Sequence, residues 1–257
     1  MTAAFARRSP AAILLSLATI YVVWGSTYLG IRITDRTMPP LLMSSARFLI
    51  AGTVLYALTA RGRRPTLREW RAAAIVGAAL LAVGNGGVAW VETRLESGLA
   101  ALILLATTSA WAAGSLYARG APLPTNPLVS AAMQMLCAGV LLGGAGLVGG
   151  EAGDVHRNAF TTEPLLAFGY LILFGSLLAY SAYAWLLKNV RISVVSTYAF
   201  VNPVVAVALG ALFLGEPITV TMLVAGGAIV LAVVLIVVGR VPVARPKLAS
   251  RPATLTS

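Results

Sequence analysis

Eight stretches of roughly twenty apolar residues follow one another along this 257-residue chain, separated by short polar turns. At about 1.5 Å per residue, each is long enough to cross a bilayer core of about 30 Å. In lipid the backbone must satisfy its own amides and carbonyls, which a helix does within one segment. The sequence is therefore read as an all-α polytopic membrane protein. Its spans lie at about 11–32, 40–60, 71–92, 97–118, 127–149, 164–187, 194–214 and 218–239. Only 11% of residues are charged, against about a quarter in a soluble domain.

The net charge of +11 would point to nucleic acid in a soluble protein, but here it reports topology. With the N-terminus cytoplasmic, the inner segments hold 14 basic residues (Arg7, Arg8, Arg61, Arg63, Arg64, Arg68, Arg71, Arg119, Lys188, Arg191, Arg240, Arg245, Lys247, Arg251). The outer segments hold four, Arg32, Arg36, Arg94 and Arg157, and Arg47 lies inside a span. The positive-inside rule then places both termini in the cytoplasm of a cell whose inner membrane carries the chain. Arg7 and Arg8 precede an apolar run that continues to about Ile31 without a small-residue cleavage site. That run reads as a first anchored helix and not as a signal peptide. The lone Cys137 and the lone His156 offer neither an intrachain disulfide nor a metal constellation. No cofactor and no nucleic-acid partner are expected. The segment 240–257 is basic, Pro/Ser-rich and read as a cytoplasmic tail.

A shift of 87 residues aligns PLLMSSARFLIAG, from Pro40 to Gly52, with PLVSAAMQMLCAG, from Pro127 to Gly139. The proline, the next leucine, Leu49/Leu136 and the Ala-Gly pair coincide, and Arg47 falls opposite Gln134. WGSTY from Trp24 resembles WAAGSLY from Trp111, Ala89-Trp90 matches Ala184-Trp185, and Ser97 falls opposite Ser193. The chain is thus two copies of one unit, a construction known in transporters. The copies are unequal: 1–110 forms a shortened first repeat and 111–239 the second. From Trp24 to Ala110 the first runs 87 residues, from Trp111 to Gly239 the second runs 129, and the deficit of 42 is about two helices. The missing part lies after Thr107, where the start of a fourth helix passes directly into the Trp111 motif. Ser97–Ala118 would measure about 33 Å as one helix, whereas neither half could span alone. Thr107, Thr108 and Ser109 at the junction are compatible with a helix, because hydroxyls bond back to carbonyls one turn earlier.

These same residues resemble the EamA-like branch of the drug/metabolite transporter superfamily. The resemblance is carried by the W-G-S-Y first helix, PPLLMSSARFLIAG, SGLAAL and STYAFVNPVVAVALGALFLGEPIT, and covers 11–239. It implies a shortened form of a ten-helix carrier built from two inverted five-helix repeats. It also implies export or exchange of small polar metabolites such as amino acids by alternating access. In that family the first-copy fourth helix helps line the central cavity and the fifth is peripheral, so the deficit falls on a functional wall.

Arg47 is the one ionisable residue well inside a span, roughly 10 Å from the outer end of its helix. A charge at that depth should face a cavity or a partner. Guanidinium suits a carboxylate substrate bidentately; the alternative is an arginine tied to backbone carbonyls that holds the bundle together. Paired with the neutral Gln134 across the repeat, it would suit a zwitterion. Asn85, in AVGNGG, can bond a neighbouring helix or a substrate. Asn202-Pro203 interrupts a helix, and such interruptions tend to line cavities. Trp24, Trp111 and Tyr198 lie deep enough to touch substrate, whereas Trp90 and Trp185 suit the interfacial belts. Glu216 in LGEP is placed to cap the last helix. Gly139/Gly143 and Gly146/Gly150 have small-xxx-small spacing, read as packing inside the bundle or, alternatively, a dimer seam.

No carboxylate lies deep in a span, which disfavours the usual proton coupling, and no set of residues resembles an enzyme's catalytic group. The expected partners are a small-molecule substrate and the lipid bilayer, with a homodimer as a further option. The rival expectation is a shortened relative that binds or regulates without transporting.

Overall fold

The structure, a computed structural model, describes residues 9–94, 97–155, 160–214 and 218–238. His156, Arg157, Glu216 and the tail from 240 onward lie outside the described residues, as does the side chain of Glu92. Among the described residues there is no strand. Eight helices occupy the eight apolar runs. They are α1 (Pro10–Thr34), α2 (Pro40–Thr59), α3 (67–94), α4 (Ser97–Gly120), α5 (Pro127–Val148), α6 (Thr162–Asn189), α7 (Tyr198–Leu214) and α8 (Val220–Val238). Six runs among the described residues are long and apolar enough to cross a membrane. Helix α4, with 24 residues, extends about 36 Å, and α8, with 19, about 28 Å.

The helix starts follow from local chemistry. Pro10, Pro40 and Pro127 each open a helix at its first turn, where a missing amide costs nothing. Asn126 accepts from the Leu128 amide at 2.9 Å to cap α5. Thr66 and Glu69 form a reciprocal capping box at the start of α3, and Arg63 pairs with Glu69 at 2.6 Å. Glu151 caps a helix from the other repeat. It sits in a short 3₁₀ turn after α5 and accepts from the amides of Leu41 and Leu42 at 3.0 and 2.9 Å. Only 1% of Glu151 is exposed, so its carboxylate both satisfies two orphan donors of α2 and complements the helix dipole. Glu151→Ala should lower stability by about 1–3 kcal/mol, read as a drop in the melting temperature of the detergent-solubilised chain. An unchanged melting temperature would remove the clasp from the account.

The helix pair α2–α5 forms the most extensive helix contact in the molecule, and its pattern reveals how the repeats are related. Cβ atoms added at Gly146, Gly143, Gly139 and Gly52 would meet Leu42, Ser45, Leu49 and Leu136 respectively. Residue numbers rise along one helix as they fall along the other, so the two helices run antiparallel. The contacts also exchange under the 87-residue shift: Gly52 meets Leu136 just as its counterpart Gly139 meets Leu49. That reciprocity requires a pseudo-twofold axis between α2 and α5, which makes the repeats inverted. The glycines allow the close approach, and Ser45 uses it to donate to the Gly139 carbonyl at 2.7 Å. Gly150 instead takes φ +81° and ends α5 in a left-handed turn, with no neighbour in reach of a Cβ.

The junction in α4 is continuous helix through Thr107, Thr108 and Ser109. Their hydroxyls donate to the Leu104 and Leu105 carbonyls at 2.7–3.0 Å, the local bonding expected of such residues in lipid-embedded helices. A feature not anticipated is π winding in the third helix of each repeat, at Ala78–Gly86 in α3 and Leu171–Tyr180 in α6. Aligning Trp90 with Trp185 makes these two segments overlap, offset by one or two residues at their ends. Such wide turns occur disproportionately at functional sites.

Candidate functional site

Helices α1, α2, α3, α4, α6 and α7 enclose a cavity of about 540 Å³. Its lining includes Trp24, Tyr28, Arg47, Asn85, Thr107, Trp111, Tyr183, Tyr198 and Asn202. Six of the seven residues singled out from the sequence meet there. The seventh, Gln134, lies one layer behind: it is buried, accepts from the Tyr180 hydroxyl at 2.5 Å and donates to Ser130 at 2.9 Å. Tyr180 stands between it and the cavity, so the pseudo-symmetric mate of Arg47 has become a packing residue. A second cavity, of about 590 Å³, lies between α1, α6 and α7 with walls of Leu29, Ile33, Leu166 and Leu209. It contains none of the candidate residues.

Among the described residues, Arg47 is the only charged side chain lining the central cavity. It is 3% exposed and donates through Nε to Ser176 Oγ at 2.7 Å. The π winding of α6 provides this arrangement: Ser176 receives Arg47 while the preceding Gly175 carbonyl receives the Trp24 indole N–H at 3.1 Å. A Cβ at Gly175 would come within 2.9 Å of Arg47 Nη2 and 3.1 Å of Thr27 Cγ2. Gly175→Ala should therefore push the guanidinium aside while leaving the fold intact. The expected result is substrate binding weakened about tenfold, or about 1.4 kcal/mol, with an unchanged melting temperature; equal binding would show that the glycine does not position Arg47.

Three buried polar atoms lining the cavity have no hydrogen-bond partner among the described residues: Arg47 Nη1, Asn85 Oδ1 and Asn202 Oδ1. Native proteins satisfy nearly all such groups. One is a cationic donor and two are neutral acceptors, a set complementary to a ligand carrying a carboxylate and an N–H group. Asn202 precedes Pro203, which has no amide to bond the carbonyl of Ala199, itself a cavity residue. The same wall thus offers another acceptor.

Four aromatic rings form a wall of the cavity toward the C-terminal ends of α4 and α6 and the N-terminal end of α7. Trp24 lies 5.6 Å from Trp111 and 5.1 Å from both Tyr183 and Tyr198, centroid to centroid. Tyr183 accepts from the Trp111 indole at 3.0 Å and bonds Ser115 at 2.6 Å, which fixes the cluster. Ring faces can attract an ammonium group, and the lining continues past the rings to Leu116, Ile192 and Ser196. Thr107 from the first half of α4 and Trp111 and Ser115 from its second half line one continuous surface. The fused helix therefore supplies a wall from both of its remnants. Sequence reasoning did not find Gly175 or Ser176, which lie in the π turn, and reads Tyr180 only as one of several amphipathic aromatics. Trp185, assigned to a belt, packs half-buried against the central core.

The EamA-like transporter family model matches residues 10–108 and again 98–238. The two matches share 98–108, the first half of α4. The chain is 35% identical to the "Uncharacterized inner membrane transporter YedA" of Escherichia coli K12, over 88% of this chain and 90% of that protein. The same figures hold for YedA of strains O6:H1 and O157:H7. That alignment runs over 280 positions, which leaves about 54 without a counterpart in this chain, close to two helices with their turns. A protein of known crystal structure shares the fold at TM-score 0.61 and 17% identity, covering 89% of this chain and 98% of its own.

Proposed function

The chain belongs to the EamA-like transporter family, and from that premise we propose that it exports or exchanges small zwitterionic metabolites, amino acids among them, across the inner membrane. As a member it is a membrane transporter and not an enzyme. The observation that carries the finer reading is the pairing of an unsatisfied, buried Arg47 Nη1 with the unsatisfied oxygens of Asn85 and Asn202 in one cavity. The substrate carboxylate would meet Arg47, where a charge-assisted bond gains strength from the apolar surroundings. Its amino group would meet the amide oxygens and the aromatic faces of Trp24, Trp111 and Tyr198. The inverted relation of α2 and α5 supports alternating access, because two pseudo-equivalent halves can rock about the shared seam.

We also place both termini in the cytoplasm, from the excess of Arg and Lys on one set of loops. A C-terminal alkaline phosphatase fusion should then stay inactive, and an active fusion would invert the topology.

The test of function is efflux from cells expressing the chain, loaded with labelled amino acids and related carboxylates, beside an empty-vector control. A zwitterionic carboxylate should appear faster in the medium when the chain is present. Faster release confined to solutes without a carboxylate would overturn the substrate assignment.

A further inference from the structure

Helix α1 packs along α7, with Gly25 against Val205, so one side of the cavity is a two-helix wall. By the internal repeat, the matching pair on the other side would be the fourth helix of the first copy and the first helix of the second. In this chain those two are fused into α4, and the other side is a single helix. Among the described residues α4 packs on α3 and on the inner part of α6, while at most isolated contacts join it to α7. Apart from Tyr28 on α1, the cavity-lining residues that are also exposed lie at this opening. Thr108, Ala112 and Leu116 form a stripe at four-residue spacing on α4, and Ser196 and Ala199 face outward at the start of α7. Arg119 closes the lower end of this slot, donating to the carbonyls of Leu187 and Val190 at 3.2 and 2.7 Å. The slot therefore faces sideways, at a depth where its surroundings are acyl chains.

We propose that the cavity opens through this window into the inner leaflet and accepts single-tailed amphiphiles with a carboxylate head. The head sits at Arg47 and the tail leaves between α4 and α7. The proposal rests on the assignment of Arg47 as carboxylate anchor and extends the substrate class from small zwitterions to acyl-bearing carboxylates. Three features favour a tail over a second protein copy as occupant. The window is continuous with the cavity, its rim residues are small or apolar, and the one charge in the cavity has the sign that holds a carboxylate. A tail that remains in lipid surroundings from membrane to site loses little by moving, while its head gains the Arg47 donor that lipid cannot offer.

The test uses the full chain in phosphatidylcholine nanodiscs with a twelve-carbon carboxylate bearing a terminal diazirine, and its methyl ester as control. After photolysis, mass spectrometry locates the labelled residues. Labelling should concentrate on 108–116 and 196–199, about tenfold above the lipid-facing surface of α8, and should fall to that background with the ester or with Arg47→Gln. Uniform labelling, or the same rim labelling by acid and ester, would overturn the window. The ester comparison uses the unmodified protein and so does not depend on a variant folding. Binding of labelled amino acids to the same Arg47→Gln preparation separates the two readings. Loss of amino-acid binding together with uniform labelling removes the window alone, whereas amino-acid binding indifferent to Arg47 removes the anchor itself.

Discussion

Replacing Arg47 by glutamine is expected to reduce transport of a carboxylate substrate by about 30- to 1,000-fold, which corresponds to about 2–4 kcal/mol for a charged hydrogen-bonding partner lost from a buried site. The fold should tolerate the change. Arg47 Nε donates to Ser176 Oγ, which a glutamine amide can also reach for, and Nη1 has no partner among the described residues. Removing the buried guanidinium removes its desolvation cost but also its attraction to Asp35, so the melting temperature should change little. Lysine at this position keeps the charge but not the fork, and should restore part of the activity. The diagnostic result is thus a fall in initial rate, measured in proteoliposomes, with stability preserved. Transport at the parental rate by the glutamine variant would show that Arg47 is a bundle-holding arginine, the alternative its sequence position allowed.

The second large effect should come from the α2–α5 seam. A methyl group at Gly139 would lie 2.7 Å from Leu49 Cγ and 3.1 Å from the Leu49 amide nitrogen, too near backbone for a side-chain adjustment alone to relieve it. Gly139→Ala should destabilise the chain by about 1–3 kcal/mol, the usual cost of overpacking. Gly52→Ala should cost a similar amount, since its methyl would meet Leu136 and the Ala132 carbonyl at 3.0 and 3.1 Å. Leu49→Ala leaves a cavity and destabilises by itself. Combined with Gly139→Ala it should recover part of the loss, a coupling of about 0.5–3 kcal/mol in a double-mutant cycle. Strict additivity in thermal or denaturant unfolding would mean that the two residues do not share the seam, and the pseudo-twofold packing would lose its main support.

The fold was legible in the sequence because its principal signals are long range in length but local in chemistry. Hydropathy located all eight helices to within a few residues, and proline at the first turn of α1, α2 and α5 marked where three of them begin. The continuity of α4 was legible too, since neither half of 97–118 could cross the bilayer alone. The site was legible where a residue is costly in lipid unless it faces something polar: Arg47, Asn85 and Asn202 all line the cavity. Repeat alignment was less informative there. It placed Gln134 opposite Arg47, but Gln134 is bonded by Tyr180 of α6, and Tyr180 is the one of the two that lines the cavity. The π winding gave no sequence signal. At Gly175 and Ser176 it meets Trp24 and Arg47 from two other helices, contacts that no local pattern encodes. The window between α4 and α7 was hidden for the same reason, because only the packing shows which surface the missing helices leave open.

The central claim is that α4, one helix made from two remnants, completes a working carrier. The most direct test is solute exchange by the purified chain in sealed proteoliposomes. Vesicles loaded with an unlabelled amino acid mixture would be diluted into labelled external pool, with protein-free vesicles as control. Labelled carboxylate should accumulate inside only when the chain is present and the vesicles are preloaded, the signature of a site that faces each side in turn. Binding of the same carboxylate without any accumulation, from a monodisperse and membrane-inserted chain, would contradict the claim and identify the protein as a relative that holds its ligand but does not carry it.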